Sequence, residues 1–84
     1  MYRERVKSQS VDSIGYNDLS ETLDIKFLAG SLYRYYGVPQ QTYTDLMTAP
    51  SIGRFVNYRI KPYFGFQKIV EEKHKKVPAI VKPL

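Results

Sequence analysis

The sequence predicts an α+β domain, a three-stranded antiparallel β-meander followed by two short α-helices packed on one face. Three observations carry that expectation. Residues 22–27 alternate strictly, with Leu23, Ile25 and Phe27 on one side and Thr22, Asp24 and Lys26 on the other, the period of a strand with one buried face. Leu28, Ala29 and Gly30 fit a three-residue hairpin loop whose last residue needs positive φ. Two stripes of helical period then follow, one opened by Val38 and Pro39 and one by Ser51.

Taken in order, residues 1–9 alternate charge and polarity without an apolar period and read as a flexible basic N-terminal arm. Val11, Ile14 and Tyr16 give a first strand, an edge strand of the sheet, closed by the turn-forming Asn17, Asp18 and Ser20. The hairpin register then sets Ile25 opposite Tyr33 and Leu23 opposite Tyr35, so both tyrosines face the core while Leu32, Arg34 and Tyr36 face away. Pro39 suits a first helical position, and Tyr43, Leu46 and Met47 form the core stripe of a helix running to about Thr48. Pro50 forbids its continuation. Ser51 caps a second helix with a stripe of Ile52, Phe55, Val56, Ile60 and Tyr63, which Pro62 kinks or ends. Residues 67–76 allow an extra C-terminal helix, and the two prolines of 77–84 favour extended chain.

With 84 residues the chain makes one domain, able to bury only about 60–65% of its unfolded surface. It has no cysteine, so neither disulfides nor a thiolate zinc site support the core, and a cytoplasmic setting is expected. No apolar run approaches a membrane span, and the first residues have no signal-peptide core. The net charge of +5 is uneven. Asp12, Asp18, Glu21 and Asp24 outnumber Lys26 in the strand half, whereas Arg34, Arg54, Arg59 and Lys61 outnumber Asp45 in the half that follows.

The order and spacing of several pieces resemble a known family. These are residues 13–16, the alternation of Leu23, Ile25 and Phe27, Gly30, the tyrosine pair Tyr33 and Tyr35, Val38 with Pro39, Ala49, Ser51, Gly53, and Phe55, Val56 and Asn57 with Ile60. Together they resemble the KTSC domain, which occurs at the C-termini of some lysyl-tRNA synthetases and as a stand-alone bacterial or phage protein. The resemblance implies the same meander followed by two helices. It divides the chain into the arm at 1–9, a KTSC-like domain at 10–64 and a basic C-terminal extension at 65–84. Kinship with synthetase appendages also suggests RNA binding.

Nothing in the sequence favours catalysis. His74, the only histidine, lies in the lysine-rich extension without an identifiable carboxylate or serine partner, and no ligand spacing for a metal or glycine-rich phosphate loop occurs. A non-catalytic binding domain with no cofactor and no membrane partner is therefore expected. Of the eight tyrosines and four phenylalanines, Tyr16, Phe27, Tyr33, Tyr35, Tyr43 and Phe55 fall on core faces. Residues left outside, Arg34, Tyr36, Arg54, Asn57, Tyr58 and Lys61, are the candidate nucleic-acid site, tyrosines stacking bases and cations holding phosphates of an RNA or single strand. The alternatives are a protein partner or homo-oligomer, docked through the outer-face Leu32 and Tyr36 or the tail residues Ile80, Val81 and Leu84, and a pocket for a free nucleotide.

Overall fold

The alternation at 22–27 and the loop glycine build what they predict. In the computed structural model, which describes residues 3–70, β3 (Thr22–Phe27) pairs antiparallel with β4 (Leu32–Tyr36), Leu23 opposite Tyr35 and Ile25 opposite Tyr33. Gly30 takes φ +109°, and its N–H donates to the Phe27 carbonyl at 2.9 Å, closing the hairpin loop. β2 (Val11–Asn17) lies on the other side of β3. Its apolar residues at 11, 14 and 16 break strict alternation because the register shifts between Val11 and Ser13; a bulge there inserts one residue, so that Val11 and Ile14 both reach the core.

Among the described residues the sheet has five strands, not three. β1 (Glu4–Arg5) pairs with β2 and β5 (Phe66–Ile69) pairs with β4, giving an antiparallel sheet in the order β1-β2-β3-β4-β5. Three expectations are thereby corrected. The basic arm contributes an edge strand over Glu4–Arg5, β2 is internal, and the start of the 67–76 helix is strand. The physical reason is the same at both ends: the outer strands of a three-stranded meander each leave a row of unpaired N–H and C=O groups, and short flanking segments of weak intrinsic preference satisfy them. Residues 77–84 and His74 lie outside the described residues.

Helices cover one face. Pro39, expected as the first helical residue, is instead the N-cap of α1 (Gln40–Met47), which starts one residue later, and its carbonyl accepts N–H groups from Thr42 and Tyr43. Ser51 caps α2 (Ile52–Phe55), its Oγ accepting from the Arg54 N–H at 3.3 Å. A π-helical turn (Val56–Ile60) continues α2, closed by the Lys61 N–H bonding the Val56 carbonyl at 2.9 Å. Pro62, with no N–H for the Tyr58 carbonyl, follows directly, and Tyr63 leaves the predicted stripe to stand 71% exposed. Val11, Ile14, Leu23, Ile25, Tyr35, Val38, Leu46, Val56 and Ile60 form the buried core between sheet and helices. Tyr16 stacks on Tyr43 at 4.6 Å and donates its hydroxyl to the Val38 carbonyl at 2.6 Å. No helix among the described residues is long and apolar enough to cross a membrane.

Burial raises the Tyr35 hydroxyl above its usual value of 10.0, with Tyr33 adding to it, and raises Tyr16 first by burial and then by Glu21 and Asp18. Above pH about 10 the unfolded chain loses these protons while the folded one holds them, so stability present below that pH falls as pH rises through the raised values. Urea melts between neutral pH and about 11 are expected to show that decline, and Tyr35→Phe should reduce its slope.

Candidate nucleic-acid interface

The helical segment owes its orientation to Val56 and Ile60, both fully buried against the sheet. Their burial leaves Arg54, Asn57, Tyr58, Arg59 and Lys61 exposed, Tyr58 by 66%. On one flank the N-terminal end of α2 approaches the segment leading into β2. Lys7, Ser8, Ser10, Ser51, Gly53, Arg54 and Asn57 line a polar groove of about 660 Å³ there. Gly53 permits the approach, since a Cβ would sit 2.8 Å from Ser10 Oγ. On the other flank Pro50, Phe55 and Tyr58 floor an apolar hollow of about 390 Å³, with Arg54 and Arg59 at its rim. The Arg59 guanidinium lies 5.5 Å from the Phe55 ring centroid, which directs the cation along the surface.

Charge is segregated in the same region. Residues 49–69 contain Arg54, Arg59, Lys61 and Lys68 and no acidic residue. Asp45 of α1 borders a separate hollow beside Arg59 and accepts a hydrogen bond from Gln41 Nε2 at 2.9 Å.

The six residues singled out by periodicity do not make one surface. Arg54, Asn57 and Tyr58 come together around the two hollows. Lys61 points back toward the sheet, its ammonium 5.5 Å from the Phe27 ring centroid. Arg34 and Tyr36 lie on the opposite face of the sheet from Tyr33 and Tyr35, away from the described helices. Arg34 is engaged by Asp24, Nε to Oδ1 at 2.8 Å and Nη2 to Oδ2 at 2.9 Å, and this pairing holds the guanidinium above its ordinary pKa. Its charge is matched rather than offered. Tyr36 is 44% exposed and donates its hydroxyl to Gln67 Oε1 at 2.9 Å. Leu32, expected on an uncovered face, is only 4% exposed, with Ile69 of β5 opposite it in the register.

The structure adds Lys7 and Arg59 to the helix-side set. Lys7 was hidden by the reading of residues 1–9 as a free arm, and Arg59 by the core stripe that runs through its neighbour Ile60. Among the described residues Asp24 is the one buried carboxylate, and Arg34 donates to both its oxygens. No group of three or more metal-ligating residues occurs among the described residues.

This geometry defines a small sheet-and-helix domain with a basic, aromatic helical face. The chain belongs to the KTSC domain family, whose model matches residues 7–64. It is 41% identical over 59 residues to a protein of Tsukamurella paurometabola, covering 70% of this chain and 88% of that one. Over 59 residues it is 37% identical to the lysine–tRNA ligase of Nostoc punctiforme, a match spanning 70% of this chain but 10% of the ligase. The crystal structure of a KTSC domain protein from Yersinia pestis superposes with a TM-score of 0.78 at 38% identity, covering 82% of this chain and 97% of that one.

Proposed function

We propose that the domain is a non-catalytic, cytoplasmic binder of single-stranded nucleic acid, RNA first, and that the exposed side of α2 and its π-turn is the contact surface. The observation that carries this is the gathering of Arg54, Asn57, Tyr58 and Arg59 around two open hollows in a stretch with no acidic residue. Arginines there can neutralise phosphates, Asn57 can donate to or accept from a base edge, and Tyr58 offers a solvent-facing ring for stacking. The kinship of part of a lysine–tRNA ligase to this chain is compatible with an RNA ligand.

The reading is tested by the salt dependence of binding to a mixed-sequence RNA strand, followed by fluorescence anisotropy. Two to three phosphate contacts weaken binding roughly tenfold between about 50 and 200 mM salt. Arg54→Ala and Arg59→Ala are each expected to make the salt slope shallower by about one contact, whereas Tyr58→Ala lowers affinity at unchanged slope because stacking releases no counterions. Absence of binding at low salt would remove the proposal and favour a protein partner or self-association on the same surface.

A further inference from the structure

β5 brings a second aromatic surface into being that lies away from the α2 hollows. The register sets Phe66 opposite Tyr35 and Lys68 opposite Tyr33, which places Phe66 and Lys68 on the helix-bearing side of the sheet. The helices leave this edge open: Phe66 remains 59% exposed although its ring lies 5.6 Å from Tyr33 and 5.7 Å from Tyr35, at interplanar angles of 76° and 43°. Tyr33, Tyr35, Phe66 and Lys61 line a hollow of about 230 Å³. Lys61 is held at its rim with its ammonium over the Phe27 ring.

We infer that this hollow is a base-stacking subsite, in which one unstacked base of a single-stranded nucleic acid lies against Phe66 and Tyr33 while Lys61 and Lys68 hold the adjoining phosphates. The inference rests on the nucleic-acid reading above and extends it to a different part of the molecule. Charge decides the occupant. Lys61 lines the hollow, Lys68 stands opposite Tyr33 on the same side of the sheet, residues 49–69 carry no carboxylate, and an exposed phenylalanine beside these cations matches the alternation of planar base and anionic phosphate along a strand. The hollow is also smaller than the roughly 300–1,000 Å³ typical of sites that enclose a whole small molecule, which fits a single base inserted from an open strand.

The chain contains no tryptophan, so Phe66→Trp places a single reporter in the subsite. The full-length variant is titrated with an oligouridine of about 12 nucleotides, long enough to span more than one contact, at low salt. Saturable quenching of the indole emission, with the midpoint given by anisotropy of the same labelled strand, is the expected result. Phe66→Ala should weaken binding about 5- to 100-fold at unchanged salt slope, the range for loss of one stacked base. Lys68→Ala, an exposed change that the fold tolerates, should make the slope shallower by about one phosphate contact. If the strand binds with no quenching, and Phe66→Ala and Lys68→Ala bind like the parent, the subsite is overturned while the α2 surface stands. If no strand binds any of these proteins, the nucleic-acid reading itself fails and the subsite with it. Emission that changes with protein concentration in the absence of the strand would instead make the hollow a contact between copies, which also overturns the inference.

Discussion

Tyr35→Ala is expected to destabilise the domain by on the order of 3–4 kcal/mol, the usual cost of removing a buried aromatic ring. Tyr35 is 2% exposed, sits opposite Leu23 on the core side and closes the floor of the β5 hollow. In a domain this small that is a large share of a total stability that lies near the low end of about 5–15 kcal/mol. Tyr36→Ala provides the contrast. Its ring faces the other side of the sheet, 44% exposed, and its hydroxyl bond to Gln67 is a solvent-accessible one, so the loss should stay under about 1 kcal/mol. Urea melts of the two variants check the pair, and a larger loss for Tyr36→Ala would contradict the strand register.

Arg34→Ala is expected to cost about 2–4 kcal/mol, because it leaves the Asp24 carboxylate, 1% exposed, without the two hydrogen bonds that compensate its burial. The figure is set below the full cost of breaking an enclosed ion pair because the Arg34 side chain is itself 35% exposed and screened by solvent. Adding Asp24→Ala to Arg34→Ala should recover part of the loss, giving a coupling energy of at least about 1 kcal/mol in a double-mutant cycle. The same variant separates structure from binding. Measured where it remains folded, Arg34→Ala should bind a nucleic-acid strand with the parent's salt slope, since its guanidinium is engaged by Asp24 on the face opposite the helices. A slope shallower by one contact would place Arg34 in the interface.

Much of the local architecture was legible in the sequence because its causes are local. The alternation at 22–27 and the glycine at the end of a three-residue loop set the β3 and β4 pairing residue by residue, and the observed partners of Leu23 and Ile25 are those expected. Ser51 and Pro39 start the helices through bonds within a few residues of themselves. The strand over Val11, Ile14 and Tyr16 was also expected, whereas the bulge between Val11 and Ser13 that explains their three-residue step came only from the pairing register. For the candidate interface, helical periodicity placed Arg54, Asn57 and Tyr58 outside correctly, since Val56 and Ile60 dictate which side is buried.

What only the tertiary structure decided depends on partners far apart in the chain. Residues 66–69 carry an amphipathic pattern too short to choose between helix and strand, and the open edge of β4, about thirty residues earlier, makes the choice. That pairing creates the hollow of Tyr33, Phe66 and Lys61, which no periodicity could foresee. Arg34 and Arg54 look alike in sequence, each a cation on a predicted outer face. One meets a buried carboxylate across the strand pair and the other meets solvent at a groove, because electrostatic partnership follows distance in space and not position along the chain.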